Sequence, residues 1–218
     1  MNNKVIITTG LKGGTGKTSL CANFATFFVE QGVAVFVLDA DIQQSLSRHR
    51  KRDLEGNPSA EVPWPVEFLN TTDIETVKSV IKKAKQLQCC VMIDCPGNIQ
   101  DSSLQVIYEA ADAAIIPYEL NSDSVDATIM FAKFFKGNFK AKMFFVPNKV
   151  STVFEWRGEV RKAREDAMEA LNGKLGTVTP DMRLTTHLNS YSTIETYNWR
   201  KRAAIRDAFA PIFKFIKH

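Results

Sequence analysis

Short apolar runs alternate with longer segments of helical periodicity along this chain. The apolar runs predict buried strands, at residues 5–9, 33–38, 66–69, 89–93, 113–117, 142–146 and 175–178. The longer segments, in which apolar residues recur every three or four positions, predict helices, at residues 18–31, 43–53, 72–87, 102–111, 122–136, 154–171, 186–196 and 199–216. We expect Pro211 to break the last of these helices.

The regular alternation of strand and helix indicates an α/β fold, with a mostly parallel sheet and helices on both of its faces. No internal repeat or linker divides the chain, so the sequence predicts one domain covering residues 1–218. In sheets of this kind, ligands bind at the carboxyl ends of the strands. Candidate functional residues are therefore expected just after residues 9, 38, 93, 146 and 178.

The composition is that of a folded soluble protein, with 44% hydrophobic and 24% charged residues. Four cysteines in 218 residues do not form the framework of a disulfide-rich protein. The N-terminus lacks the features of a signal peptide, and no apolar stretch approaches the roughly 20 residues that span a bilayer. We therefore expect a protein of the reducing cytoplasm.

Two groups of basic residues stand out against a net charge of only +4. They are the run Arg48, Arg50, Lys51 and Arg52, and a C-terminal group of Arg200, Lys201, Arg202, Arg206, Lys214 and Lys217. Each group is either a solvated helix face or a surface that contacts the phosphates of a nucleic acid. The pattern alone leaves both interpretations open.

A glycine-rich loop follows the first predicted strand, with the sequence G-L-K-G-G-T-G-K-T-S at residues 10–19. Glycines let the backbone turn so that its N–H groups approach phosphate oxygens, and the next helix directs its positive end at the same anion. In such a loop Lys17 contacts the β- and γ-phosphates, and the Thr18 hydroxyl binds Mg²⁺. The predicted nucleotide contacts are Gly13, Gly14, Thr15, Gly16, Lys17, Thr18 and Ser19. A glycine-rich turn without a ligand is the competing interpretation.

The loop departs from the strict phosphate-loop pattern at one position, because Leu11 stands where that pattern has glycine. An additional lysine, Lys12, precedes the glycines. In this respect the loop resembles the deviant Walker A ATPases of the ParA/MinD family, and most of all the small ParA-type partition ATPases. In that family the additional lysine reaches across a dimer interface to the partner's nucleotide. The resemblance therefore implies a catalytic role for Lys12 together with Lys17.

Two carboxylate motifs extend the resemblance. The string D-A-D-I-Q-Q, which begins at Asp39, is similar to the family's second motif, with Ile42 in place of its usual proline. The resemblance implies that Asp41 positions the attacking water and that Asp39 binds Mg²⁺ through water. Asp94 follows an apolar strand in the Walker B position, beside the same ion, with Gly97 near the γ-phosphate. Helix capping is the competing explanation for the first pair, and a plain strand-to-turn exit for Asp94.

Two later residues are assigned by resemblance to the base of the nucleotide. Asn148 follows the strand predicted at residues 142–146 and is the candidate that hydrogen-bonds the adenine edge. Pro180 belongs to the segment at residues 179–182, which would lie on the other side of the base. An ordinary turn asparagine is the alternative for Asn148. The resemblance covers most of the chain, up to about Tyr197.

The resemblance implies a switch that uses ATP and Mg²⁺. Two subunits associate as a homodimer when ATP is bound, and slow hydrolysis separates them. ParA-type relatives bind DNA without sequence preference and respond to a ParB-like adaptor protein. The predicted DNA contacts are Arg200, Lys201, Arg202 and Arg206. A protein of this kind is cytoplasmic, and it associates with the nucleoid when it binds DNA.

Three other functions are associated with loops of this kind. MinD-type relatives bind membranes through an amphipathic C-terminal helix, and the aromatic and basic tail at residues 209–218 has that composition. A module could also bind nucleotide without hydrolysing it, although Asp39, Asp41 and Asp94 argue against this. Nitrogenase-type relatives need paired cysteines between subunits, and Cys95 has no suitable second cysteine in the sequence.

Overall fold

A computed structural model describes residues 3–97, 101–151, 153, 157–184, 191–197 and 199–217, except for the side chains of residues 199 and 200. The strands within these residues are β1 (Val5–Thr8), β2 (Val35–Asp39), β3 (Val66–Phe68), β4 (Cys90–Asp94), β5 (Ala113–Tyr118), β6 (Lys142–Pro147) and β7 (Thr177–Val178). The helices are α1 (Lys17–Glu30), α2 (Ser45–Gly56), α3 (Ile74–Ala84), α4 (Ser102–Ala110), α5 (Ser122–Asn138), α6 (Gly158–Leu171) and α7 (Trp199–Lys217).

The strands form one sheet in the order β3-β2-β4-β1-β5-β6-β7, and each described pair is parallel. The strand that precedes the glycine-rich loop, β1, therefore lies at the centre. Thr8 of β1 pairs with Asp94 of β4, which pairs on its other side with Asp39 of β2. This register brings the ends of three candidate segments side by side at the carboxyl edge of the sheet.

Helices cover both faces of the sheet, because alternate residues of each strand point in opposite directions. Ile6 and Val37 pack in one core with α1, α2 and α7, whereas Val5 and Ile7 pack in the other with α3 to α6. Burial on both sides explains why the strands read as continuous apolar runs. The predicted α/β fold, with a parallel sheet between two layers of helices, is confirmed.

Three helices begin with a side-chain cap, and α1, which follows the glycine-rich loop, does not. The side chains of Asp73, Asp101 and Asn121 cap α3, α4 and α5, with oxygen-to-nitrogen distances of 3.1, 2.8 and 2.9 Å. These caps satisfy amide groups that a helix leaves without partners. In contrast, Gly16 directly precedes α1 and has no side chain that could cap it. The first amides of α1 are therefore available to an anion.

The C-terminal part of the chain corrects two predictions. The helix predicted at residues 186–196 is wrong where it can be compared, because residues 191–197 are not helical; the rest of that prediction lies outside the described residues. The predicted break at Pro211 is also wrong, since α7 continues through it. Phe209 and Ile212, on either side of the proline, are fully buried in the core with α1. Their burial outweighs the missing backbone N–H of the proline.

Several predicted elements are confirmed with shifted ends. The helix predicted at residues 43–53 is α2, and the strand predicted at residues 175–178 is the shorter β7. Residues 154–156, at the start of another predicted helix, lie outside the described residues, and α6 begins at Gly158. No helix in the described ranges is long and apolar enough to cross a membrane.

Candidate functional site

The glycine-rich loop joins the end of β1 to the start of α1. Gly14 and Gly16 adopt positive φ angles of 75° and 97°, which side chains other than glycine's rarely permit. Gly16 is also the N-cap residue of α1, which begins at Lys17. The loop therefore presents backbone N–H groups and the positive end of a helix dipole to the same region, as phosphate-binding loops do.

Lys17, the first residue of α1, folds back over this loop. Its ammonium group donates a hydrogen bond to the Lys12 carbonyl oxygen at 3.0 Å. A Cβ atom on Gly97 would lie 3.4 Å from the same ammonium group, so the segment after β4 packs against the loop. Burial lowers the pKa of Lys17, and the carboxylates of Asp94 and Asp41 oppose that shift. The lysine thus lies between the loop and the candidate metal ligands.

Asp94 is buried at the end of β4, beside Thr8 of β1. The Thr8 hydroxyl donates a hydrogen bond to Asp94 Oδ1 at 3.0 Å. The other oxygen, Oδ2, is buried and accepts no hydrogen bond from the part of the chain that the structure describes. Burial raises the pKa of Asp94 to about 7; the nearby Thr18 hydroxyl opposes this shift, and the Asp39 carboxylate adds to it. A buried carboxylate oxygen without a donor is unfavourable in the protein alone, but it suits a bound cation.

Asp39 pairs with Asp94 across the sheet, and its side chain also caps a helix. Its Oδ2 accepts hydrogen bonds from the backbone N–H and the hydroxyl of Ser47, both at 2.9 Å. These contacts cap the first turn of α2, so the capping interpretation is correct for this carboxylate. Burial raises the pKa of Asp39, while the Ser47 hydrogen bonds oppose the shift. Asp39 therefore ties the start of α2 to the carboxyl edge of the sheet.

Asp41 is more accessible than Asp39. Its Oδ1 accepts a hydrogen bond from the Gln43 N–H at 2.9 Å, which orients the carboxylate within the loop. Its own N–H donates to Asp39 Oδ1 at 3.3 Å. Ile42, which replaces the family's proline, is 68% exposed and forms no part of the core. The Asp41 carboxylate can therefore contact a water molecule or a ligand at the mouth of the site.

Asn148 holds the glycine-rich loop from the opposite side. It follows β6, and its Nδ2 donates a hydrogen bond to the Thr15 carbonyl oxygen at 2.7 Å. A Cβ atom on Gly16 would collide with the same nitrogen. Glycine is therefore required at position 16 both by its φ angle and by this close approach.

Lys149 is a second contact between the segment after β6 and the loop. Its backbone has a left-handed φ of 56°, which is uncommon for a residue other than glycine. Its ammonium group donates to the Gly14 carbonyl oxygen at 2.5 Å and pairs with a Glu119 carboxylate oxygen at 2.9 Å. Lys149 thus fixes the position of one glycine peptide of the loop.

A pocket opens beside these contacts. Its lining includes Ser19, Leu20, Asn23, Asn148, Lys149 and Met182. Asn148 is thus in a position to contact a base, although its Nδ2 is already bonded to the loop, so the adenine contact stays a prediction. Pro180 lines a neighbouring hollow with Asp181 and Ala203 rather than this pocket. Of the segment predicted beside the base, Met182 is the residue that reaches the pocket.

Lys12 lies at the surface of the loop. Its ammonium nitrogen is 3.9 Å from Asp123 Oδ2, and the two side chains are 45% and 86% exposed. An exposed ion pair at this distance contributes little to stability. Lys12 can therefore leave Asp123 at low cost and reach towards a second molecule.

The predicted DNA contacts on α7 have mixed environments. Arg202 Nε lies 3.0 Å from Glu30 Oε2, and Arg206 Nε lies 3.4 Å from Asp207 Oδ1. Lys201 packs over the Tyr197 ring at 5.1 Å. The side chain of Arg200 lies outside the described residues. Part of the positive charge of this group is therefore offset within the protein.

The structure adds three residues that sequence reasoning missed, namely Thr8, Ser47 and Lys149. Thr8 and Ser47 act on the two buried aspartates through strand pairing and the first turn of a helix. Neither residue belongs to a recognisable motif. Lys149 directly follows the candidate Asn148, which is the one signal that could have drawn attention to it.

Comparisons with known proteins agree with this geometry. The family model of the CobQ/CobB/MinD/ParA nucleotide binding domain matches residues 6–173, which is more than half of the chain. No curated protein matches the chain. The family assignment agrees with a nucleotide as the ligand of the glycine-rich loop.

Solved structures share the fold at low sequence identity. A candidate plasmid partition protein from Borrelia burgdorferi B31, bound to AMPPNP, is 17% identical, with a TM-score of 0.72 over 99% of this chain and 100% of that one. The MinC:MinD cell division complex of Aquifex aeolicus matches with 19% identity and a TM-score of 0.73, over 99% and 96%. MinD of Pyrococcus horikoshii OT3 with Mg-ADP matches with 18% identity and a TM-score of 0.69, over 98% and 96%.

Proposed function

Because the chain belongs to the CobQ/CobB/MinD/ParA nucleotide-binding family, we propose that it is a ParA-type ATPase in which Mg-ATP drives homodimer formation. The observation that carries this proposal is the glycine-rich loop, in which Lys17 lies between an uncapped helix start and the buried Asp94. The 218 residues would act as one ATPase domain. The nucleotides bound in the related partition protein and in MinD support ATP and Mg²⁺ as the cofactors.

The residues at the carboxyl edge fit Mg-ATP. The Thr18 hydroxyl and the Asp94 carboxylate would hold Mg²⁺, with Asp39 in the outer coordination sphere. Asp94 Oδ2 is a buried acceptor without a partner among the described residues, and a cation would satisfy it. When bound, Mg²⁺ offsets the negative charge of the β- and γ-phosphates. The backbone amides of the loop and the Lys17 ammonium would bind the same phosphates.

Two residues of this chain would carry the hydrolytic step. Asp41 orients the attacking water, because its carboxylate is accessible and held by the Gln43 N–H. Lys12 of a second copy of the chain would stabilise the charge that develops on the γ-phosphate. In a single subunit Lys12 lies beside Asp123 instead. The basal activity of a monomer is therefore expected to be weak.

The partner of the ATP-bound dimer is assigned as duplex DNA bound without sequence preference. The basic group on α7 supports this assignment, since two copies of it in a dimer double the number of phosphates that can be neutralised. A ParB-like adaptor would stimulate hydrolysis and release the dimer. The cellular role would be to partition or position a plasmid, a chromosome or a mobile element, in the cytoplasm at the nucleoid.

The packing of α7 weighs against the membrane-associated alternative. A MinD-like tail needs an apolar helix face that is free to enter the headgroup region. Here Ile205, Phe209 and Ile212 are fully buried in the core. Phe209 stacks on Phe24 of α1 with 3.5 Å between ring centroids. Releasing this face would expose the core of the protein.

ATP turnover separates the ATPase from a nucleotide-binding module without activity. We expect Mg-dependent turnover in the native protein and its loss in Asp41→Ala, with ATP affinity retained. We also expect Lys12→Ala to bind ATP but to remain monomeric on a sizing column. Equal, near-zero rates in the native protein and Asp41→Ala would favour the binding module. Absence of any Mg-ATP affinity by calorimetry would reject the proposal altogether.

A gel shift on random-sequence duplex DNA tests the partner. The protein is compared with ATP, with ADP and without nucleotide, at two salt concentrations. ATP-dependent enhancement of a salt-sensitive shift supports the DNA assignment. Binding to liposomes together with no DNA binding under any condition would replace it with the membrane alternative.

A further inference from the structure

A hollow of about 520 Å³ lies at the end of the sheet opposite the nucleotide loops. Lys4 directly precedes β1 and Lys142 is the first residue of β6, so both lie at the amino edge of a parallel sheet. Lys214 and Phe215, from the last turns of α7, complete the hollow over a floor that includes Phe144. This feature is therefore separate from the candidate ATP site.

Two ammonium groups in this hollow converge on one aromatic ring. Lys4 Nζ lies 5.1 Å from the centroid of the Phe215 ring, and Lys142 Nζ lies 5.5 Å from the same centroid. Lys142 Nζ is also 5.3 Å from the Phe144 centroid, and Lys217 Nζ lies 4.6 Å from the Phe213 centroid. The Phe144 and Phe215 rings therefore hold two cationic groups at the hollow, whereas Lys217 and Phe213 do not line it.

These cations have no acidic partners in the described part of the chain. We call Lys4, Lys142 and Lys214, which all line the hollow, the lysine edge; none of them forms an ion pair with a described carboxylate. The nearby Asp112 carboxylate instead accepts a hydrogen bond from the Val5 N–H at 2.8 Å. The lysines at this edge outnumber the one nearby carboxylate, and an excess of like charge attracts anions.

Helix dipoles account for only some of the lysines at the amino edge of the sheet. Lys214 and Lys217 lie in the last turn of α7, where the helix dipole favours cations. Lys4 and Lys142 lie at the starts of strands, and no helix end accounts for them. Lys140 and Lys174, on the connections that enter β6 and β7, add further exposed lysines to the same edge of the sheet. The accumulated charge suits an extended polyanion rather than a single small anion.

We propose that the lysine edge binds the phosphate backbone of duplex DNA, and that this binding does not require nucleotide at the glycine-rich loop. The choice of DNA as the polyanion rests on the proposed function. The independence from nucleotide follows from the location, because the lysine edge and the loop occupy opposite ends of the sheet.

An acidic membrane fits this surface less well than DNA does. Among the described residues, none of the large hydrophobic side chains that are exposed belongs to α7 or to the hollow. Phe213 and Phe215 are only partly exposed and have ammonium groups over their rings. A membrane-binding surface needs apolar side chains that enter the lipid in addition to its charge. Binding to phosphodiester groups needs charge alone.

The test compares two variants that each remove three positive charges. Lys4→Ala/Lys142→Ala/Lys214→Ala removes the lysine edge, and Arg48→Ala/Lys51→Ala/Arg52→Ala removes three exposed cations from α2 as the matched control. Binding of a fluorescein-labelled random-sequence duplex is measured by anisotropy, without nucleotide, at several salt concentrations. ATP turnover of both variants shows that they are folded.

We expect the lysine-edge variant to bind the duplex roughly tenfold or more weakly than the native protein, with a salt slope reduced by about 0.9 for each phosphate that the variant no longer neutralises. The α2 variant should be weakened much less. Absence of nucleotide-free DNA binding in the native protein, or equal weakening in the two variants, overturns the inference. So does binding to vesicles of phosphatidylcholine and phosphatidylglycerol without binding to the duplex.

DNA binding by the lysine edge and ATP hydrolysis at the glycine-rich loop can fail separately. If the native protein hydrolyses ATP and binds DNA only with ATP, the lysine edge is rejected and the ATPase proposal stands. The native protein could instead bind DNA without nucleotide but neither bind nor hydrolyse ATP, while the lysine-edge variant no longer binds DNA. Circular dichroism then shows whether both proteins are folded. In that case the lysine edge stands and the ATPase proposal is rejected.

Discussion

Charged side chains are buried and hydrogen-bonded at one end of the parallel sheet, and exposed without acidic partners among the described residues at the other. At the carboxyl end, Asp39 and Asp94 are at most 1% exposed and are held by hydrogen bonds from neighbouring elements. At the amino end, the lysine edge lies at the surface with no acidic partners among the described residues. Held charges give a fixed geometry, which suits chemistry on one small ligand. Flexible lysines at the surface suit a ligand that is recognised by its charge.

The direction of the strands and helices underlies this difference. In a parallel α/β fold, the loops at the carboxyl edge lead into helix N-termini, which carry partial positive charge. Such an edge can collect anions with backbone groups, so acidic side chains can serve a metal ion beside them. The amino edge receives helix C-termini and tolerates lysines. Substitutions at each end of the sheet test whether the two ends act independently.

The largest effect is expected from Asp94→Asn at the carboxyl end. We expect ATP turnover to fall by roughly a hundredfold or more, since the variant lacks the charge that would hold Mg²⁺. The melting temperature of the nucleotide-free protein should rise by about 2–4 °C, because a buried carboxylate, whose pKa burial raises to about 7, is replaced by a neutral group. Asp101→Asn, which preserves a helix cap, is the control. Unchanged turnover would remove Asp94 from the site.

Gly16→Ala should produce the next largest effect. Alanine disfavours the φ of 97°, and its Cβ would collide with Asn148 Nδ2. Strain of this kind costs about 1–3 kcal/mol, so ATP affinity by calorimetry should fall roughly tenfold to hundredfold. The matched control is Gly32→Ala, which has a φ of 78° but open space around the added Cβ. Similar ATP affinities for the two variants would show that the close approach of Asn148 does not shape the loop.

A smaller effect is expected from Lys149→Met, which keeps the length of the side chain and removes its charge. Without the bonds to Gly14 and Glu119, ATP binding should weaken by about 1 kcal/mol, or roughly fivefold. The rest of the fold should keep its melting temperature, because the ion pair is exposed. Lys133→Met, on the exposed side of α5, serves as the control. If both variants bind ATP like the native protein, Lys149 has no role in positioning the loop.

The smallest effect is expected at the amino end. Lys4→Ala and Lys142→Ala should change the free energy of unfolding by no more than about 1 kcal/mol, since each lysine has cation–π contacts but no ion pair with a described residue. ATP turnover should also remain at the native level. Urea titrations of both variants measure the first quantity. Destabilisation by several kcal/mol would mean that the lysine edge supports the fold instead of a ligand.

Most of the fold could be predicted from local patterns. Strands buried on both faces appear as continuous apolar runs, so β1, β2 and β4 are evident in the sequence. The C-terminal region is harder to predict, because its structure depends on distant partners. Tyr197, for example, donates hydrogen bonds from its backbone N–H to Glu30 and from its hydroxyl to Asn23. Such contacts hold residues 191–197 as a non-helical segment despite their helical periodicity.

The burial of charged residues on α2 was equally hard to predict from the sequence. Its sequence suggests a solvated or phosphate-binding face, yet Arg50 is buried over the Trp64 ring, 4.3 Å from its centroid. The Arg50 guanidinium donates hydrogen bonds to the hydroxyl and the carbonyl oxygen of Thr193, at 2.8 and 2.9 Å. No local pattern distinguishes Arg50 from Lys51 or Arg52, which are more exposed.

Local chemistry in the chain was enough to specify the order of strands and helices, the glycine-rich loop and the aspartates that follow β2 and β4. These features depend on side-chain periodicity and on backbone freedom, which neighbouring residues set. Only the tertiary structure decided which charges are buried and which are paired, because these properties depend on residues far apart in the chain. The contacts of Lys149 with the loop and the convergence of Lys4 and Lys142 on the Phe215 ring belong to this second class.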